Sequence, residues 1–136
     1  MTETQNLDWL LKDLTERVPG INAALLSTTD GLARHWYGID KDQADQLAAR
    51  ACGLVSLGES FGSIIESSGT LRQAILELDD TLAFCGAAGS GSLLTLLTEP
   101  GSDTGQIGYE MTQLIKSVAI HLAEPARQSP AEPSAR

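Results

Sequence analysis

Two histidines, two cysteines and an adjacent pair of aspartates are the residues of this chain best suited to chemistry, and none of them sits in a constellation that would perform it. His35 has no Asp, Cys or second His at metal-ligand spacing and reads as a strand-surface histidine. His121 borders the core side of a helix and reads as structural or solvent-facing. Asp79 and Asp80 are neighbours at a turn, where their side chains diverge; carboxylates working together as acid and base must converge. The run GSGS at Gly89–Ser92 lacks the lysine and the following helix of a phosphate-binding loop and reads as a tight hairpin. Cys52 and Cys85 have neither metal nor redox-motif spacing. In a reducing compartment they are expected as free thiols, with Cys85 buried. For Cys52, approach to its own copy across a dimer is the alternative. Arg34, Arg50 and Arg72 could meet an anionic group on a partner, although a surface ion pair is the ordinary use of such residues. An arginine finger into a nucleotide site is worth a large rate factor, and nothing in the sequence gives that role to any of the three. The chain is therefore expected to be no enzyme, with no catalytic residue, cofactor or metal.

Composition narrows the partner classes. The 136 residues are one domain's worth, and the 42% hydrophobic content supplies a real core rather than a disordered chain. The formal charge of −9 argues against nucleic acid or anionic membrane as a charge-driven partner, since both require basic patches. No apolar run is long enough to span a bilayer, so no direct membrane insertion is expected. The opening residues MTETQNLDWLLKDL lack the features of a signal peptide, which predicts a cytoplasmic protein.

The elements follow from periodicity. Asn6 is positioned to cap a first helix whose apolar stripe is Leu7, Leu10, Leu11, Leu14 and Val18, ended by Pro19-Gly20. Trp9 projects onto its polar face. Either the chain wraps there and half-buries it, which is the favoured reading, or it stands out as an aromatic anchor. Two strands, 21–27 and 32–37, flank the turn Thr29-Asp30-Gly31. Asp40 opens a second helix. Three strands follow at 70–78, 81–88 and 93–98, separated by Asp79-Asp80 and GSGS. A third helix spans about 105–123 with Ile107, Met111, Leu114, Ile115, Val118 and Leu122 inward. Residues 124–136 are rich in Pro, Ser and Ala and are expected to form a disordered tail after a single domain at 1–123. The order α-β-β-α-β-β-β-α fits an α+β fold, a three-layer α/β/α sandwich. In it a five-stranded antiparallel sheet has the second helix on one face and the first and third on the other.

The second helix, Ala44 to Ser60, is the odd element. One face carries Leu47, Ala48, Ala51, Leu54, Val55 and Gly58 and is an ordinary core stripe. The other carries Asp45, Ala49, Cys52, Gly53, Ser56 and Ser60, bordered by Gln46, Arg50 and Leu57. Solvated helix faces favour long, strong helix formers. Glycine inside a helix costs about 1 kcal/mol against alanine. A partner chain covering that face explains the small residues. The strand at 70–78 follows this helix, and an edge strand needs pairing or cover. One dimer would pair this strand edge to edge and cover the helix face together.

Three stretches resemble the roadblock (dynein light chain roadblock) family, most closely its prokaryotic, actinobacterial members. They are VPGINAALLSTTDGLA at Val18–Ala33, LRQAILELDDTLAFCGAAGSGSLLTLLTEPGSDTG at Leu71–Gly105, and IGYEMTQLIKSVAIHL at Ile107–Leu122. The resemblance covers about residues 6 to 123 and implies a homodimer joined through the third strand, with the second helices side by side. It implies a non-enzymatic regulator or adaptor of a Ras-like small GTPase, in a signalling unit (a conservon) that also holds a sensor histidine kinase. Membrane recruitment would then come through a partner. The implied partner surface includes Asp45, Ala49, Arg50, Cys52, Gly53, Ser56 and Leu57. Leu71, Arg72, Gln73 and Ile75 lie at the strand edge. A scaffold for the kinase alone, and a small-molecule sensor, are the alternative readings.

Overall fold

The computed structural model describes residues 2–67, 71–89 and 91–131. Its elements are α1 (Thr2–Arg17), β1 (Ile21–Thr28), β2 (Ala33–Tyr37), α2 (Lys41–Ile64), β3 (Gln73–Glu77), β4 (Leu82–Ala87), β5 (Ser92–Thr98) and α3 (Thr104–Ala131). The strands form one antiparallel sheet in the order β2-β1-β5-β4-β3. β2 and β3 are its edges.

Alternation along each strand sends side chains to opposite faces, and helices cover both. On one face, α1 supplies Leu7, Leu11, Leu14 and Val18, and α3 supplies Ile107, Met111, Leu114 and Val118. They enclose Ala24, Leu26, Phe84, Leu94 and Leu96 in the main core. Each large side chain withdrawn from water there is worth about 2 kcal/mol. On the other face α2 lies alone. Ala44 and Ala48 pack on Leu25, and Ala51 packs with Cys85 and Leu93. The small inward residues of α2 let the helix lie close to the sheet, and the cover they give is thin.

Local signals set the ends. The Asp40 carboxylate accepts from Gln43 N at 2.8 Å, and the Gln43 side chain accepts from Asp40 N at 3.0 Å, which makes a capping box. The Asp103 carboxylate accepts from Gln106 N at the start of α3. Arg17 bonds Asp13 at 3.2 Å and Glu110 at 3.0 Å, which fastens α1 to α3 and raises the guanidinium pKa, chiefly through Glu110.

Several boundaries differ from the sequence reading. α1 begins at Thr2, so Asn6 lies inside it and does not cap it. Trp9 is 61% exposed, with no described segment wrapped over it, and its half-buried reading is corrected. α2 continues to Ile64, through the stretch read as a loop from Phe61. α3 continues past 123 to Ala131, so residues 124–131 of the expected tail are helical, while 132–136 lie outside the described residues. The His121 side chain also lies outside them.

Candidate interaction surface

His35 is buried, not the strand-surface residue expected from its spacing. α1 packs across β2, and Asp8 comes within 2.9 Å of the imidazole Nδ1. That carboxylate is distant in sequence, so spacing could not reveal it. Among the described residues no group of His, Cys, Asp and Glu could hold a metal ion. Asp79 and Asp80 form the β3–β4 turn, closed by Leu78 N donating to Thr81 O at 2.8 Å. Gly89 and Gly91 flank the β4–β5 hairpin, both with positive φ. Both thiols are free. Burial pushes the Cys85 pKa up, against a weaker opposing pull from the Thr95 hydroxyl.

The surface that stands out begins on α2. Asp45 is exposed and ion-paired to Lys41 at 2.9 Å, one turn back. Arg50 is exposed and donates to its own helix at Gln46 O. Ala49, exposed, and Cys52, half-buried, lie next to the chain's own β1–β2 turn. The β1–β2 turn folds over them: Gly31, at φ +96°, places its missing Cβ 3.7 Å from Ala49 Cα and 3.8 Å from Cys52 Cβ. The Cys52 thiol donates to Thr29 O at 3.0 Å. The half-buried Cys52 side chain thus accommodates the chain's own hairpin, while Ala49 meets it through its backbone and stays exposed.

Farther along α2 no such intramolecular reason exists among the described residues. A methyl group at Gly53 would meet nothing within 4 Å. Ser56 is exposed, and Leu57 is 58% exposed. Beyond them Phe61 is 68% and Ile64 81% exposed, on the same stripe at spacings of four and three. The sequence reading missed Phe61 and Ile64 because Gly62-Ser63 reads as a breaker. The signal was the apolar spacing continuing from Leu57.

The stripe is accompanied by the uncovered end of the sheet. Leu76 and Leu78 of the β3 segment are exposed, as is Ile75 on the opposite face. An apolar hollow of about 70 Å³ opens between Leu47, Ala51 and Leu54 of α2 and Leu76, Ala83 and Cys85 of the sheet. A shallower hollow of about 350 Å³ adjoins it through Leu47 and Arg50. Leu71 packs on Gly58, where a Cβ would lie 3.1 Å from a Leu71 methyl, so Gly58 seats the segment entering β3. Arg72 and Gln73 are exposed at its start, with Gln73 Nε2 3.9 Å from Met111 Sδ. The expected site residues thus fall into three groups: those under the β1–β2 turn (Ala49, Cys52), those on open helix (Asp45, Arg50, Gly53, Ser56, Leu57), and those at the free edge (Leu71, Arg72, Gln73, Ile75).

The Roadblock/LC7 domain model matches residues 7–98. The chain is similar to a Roadblock/LC7 domain from Streptomyces avermitilis at 45% identity, covering 85% of this chain and 97% of that one, with a TM-score of 0.82. It shares its fold with the gliding protein MglB of Thermus thermophilus at 15% identity, over 91% of this chain and 93% of that one, with a TM-score of 0.80. An MglB with a tetrameric arrangement aligns at 14% identity, over 91% and 93%, with a TM-score of 0.81. No protein of curated function matches the chain.

Proposed function

Because the chain belongs to the Roadblock/LC7 family, we propose that it acts as a homodimeric, non-enzymatic regulator or adaptor of a Ras-like small GTPase. The observation that carries this reading is the open apolar stripe Leu57, Phe61 and Ile64 beside an unpaired β3 edge. Isolated exposed apolar side chains are ordinary, but a contiguous group beside a free strand edge is a docking surface. A second copy of the chain would satisfy the edge and bury the stripe in one contact. The tetrameric arrangement of an MglB supports self-association as a property compatible with this fold.

On this reading the paired α2 helices form a platform that contacts the switch regions of the GTPase. It can change their equilibrium only by binding one arrangement better than the other. The resemblance to actinobacterial members leads us to propose further that the protein works in a signalling unit with a sensor histidine kinase, through which it would reach the membrane. Among the described residues no helix is long and apolar enough to cross a membrane by itself.

The test is light scattering on the purified chain, followed by GTP binding and turnover of a Ras-like small GTPase from the same organism, with and without the protein. A dimer that binds the GTPase and alters its turnover or nucleotide affinity supports the proposal. A monomer that binds no GTPase overturns it.

A further inference from the structure

Beside the start of β3 lies a cleft of about 430 Å³ between the sheet and α3, lined by Leu71, Arg72, Ala87, Thr112, Ile115 and Lys116. It holds two cations in a chain whose formal charge is −9. Neither Arg72 nor Lys116 forms an ion pair among the described residues. The cleft is built by a close approach of backbones. A Cβ at Gly86 would stand 2.8 Å from Arg72 O and 3.0 Å from Met111 Cε, so only a glycine in β4 lets the Arg72 segment lie there. At the other end of the same strand, Asp79 and Asp80 form an exposed turn, and neither is ion-paired among the described residues. One edge strand thus has cations at its beginning and anions at its end.

The edge also has a defined hydrogen-bonding phase. Leu78 bonds to Thr81 across the turn, so Leu76 and Ala74 direct their amides to β4. Gln73, Ile75 and Glu77 direct theirs to the open side. A second copy approaching antiparallel must oppose these odd-numbered residues to their counterparts. Centring the pairing on Glu77 would set two carboxylates face to face. Centring it on Ile75 keeps the phase but sets Leu78 against Arg72 and carries the Asp79-Asp80 turn past the cleft. Centring it on Leu76 sets Ile75 against Glu77, and the exposed Leu76 against its own copy. It also brings the Asp79-Asp80 turn of each chain over the Arg72–Lys116 cleft of the other.

We infer that the Arg72–Lys116 cleft is the receptor for the Asp79-Asp80 turn of a second copy, and that this contact, made twice about the two-fold axis, fixes the β3–β3 register on Leu76. The inference rests on the self-association proposed above and specifies its geometry. Opposite charges at matched positions select orientation and register more than they add affinity. The contact is partly exposed, so added salt weakens it.

Charge exchange tests it. The variants Arg72→Glu/Lys116→Glu and Asp79→Lys/Asp80→Lys each place like charges at both contacts. Each is expected to raise the dimer dissociation constant by about tenfold or more, with unchanged circular dichroism. An equimolar mixture restores both contacts, because the acidic cleft of one chain meets the basic turn of the other, and the heterodimer is expected to form at wild-type affinity. Independently, in a Cys52→Ser background, Leu76→Cys is expected to cross-link to its own copy under a mild oxidant, and Ile75→Cys is not. Non-hydrogen-bonded pairs stand about 4.5 Å apart at Cα, within disulfide reach. If the wild type dimerises but the exchanged variants associate as it does and Leu76→Cys fails to cross-link, the register is overturned and the dimer stands. A monomeric wild type overturns both.

Discussion

Asp8 Oδ1 lies 2.9 Å from His35 Nδ1, joining the exposed face of α1 to a buried imidazole on edge strand β2. Tyr37 Oη donates to Glu16 at 3.2 Å one pleat farther along, so α1 is fastened to β2 at two points. Asp8→Ala leaves a buried ring nitrogen without its acceptor and is expected to destabilise the fold by about 1 kcal/mol. Asp8→Asn retains a carbonyl oxygen and should lose less. Urea unfolding of the two variants measures the difference.

The α2 stripe predicts a separation of fold from assembly. Phe61→Asp and Ile64→Asp remove apolar contacts from the proposed dimer and leave the core untouched. Each is expected to weaken association by about a hundredfold, as substitution of a central interface anchor does. The secondary structure of the monomer should be unchanged. Analytical ultracentrifugation and circular dichroism read the two quantities.

Cys85 predicts an alkaline limb in stability. Its thiol pKa is raised by burial above the ordinary 9.0, so the folded chain holds this proton longer than the unfolded chain. The associated stability is complete below the unfolded value and is lost as pH rises through the folded one. Cys85→Ala should therefore show a shallower fall in unfolding free energy above pH 9 than the parent. In the native protein Cys52 should react with a thiol reagent well before Cys85.

The end of α2 predicts a stabilising substitution. Ser67 N donates to Gly62 O at 2.8 Å and Glu66 N to Ser63 O at 3.3 Å, the pattern of a Schellman stop. Its left-handed position is occupied by Glu66, at φ +61°. Glu66→Gly removes the Cβ conflict and is expected to gain about 1 kcal/mol in thermal or urea unfolding.

What could be read from residues alone follows the range of the forces involved. The element order, the sheet and the assignment of α2 to one face and α1 with α3 to the other came from periodicity and turn chemistry, which are local. The Asp8–His35 pair was invisible, because it forms between elements far apart in sequence. The small residues of α2 were legible as a departure from a solvated helix, but their cause was divided. The turn at Gly31 accounts for Cys52, while nothing among the described residues accounts for Gly53. The apolar residues that extend the surface were lost to Gly62, since a glycine inside a helix and a glycine ending one look alike until the following carbonyl bonds are known. The helical continuation through Pro125 and Pro130 ran against the preference of proline for helix ends.

The sheet order places β1 beside β5, with Ile21 paired near Thr98. Everything else in the sheet is a neighbourly meander: β1 with β2, and β3 with β4 and β5. The sheet is thus two short-range halves closed by a single long seam, and the seam can form only after the last strand has been synthesised. Until then α2 has only part of its bed, and the residues of the proposed contact between copies are exposed alongside those of the chain's own core. Substitutions along the β1–β5 seam will slow folding through the cost of bringing distant segments together. Substitutions at the rims will act only on the finished fold.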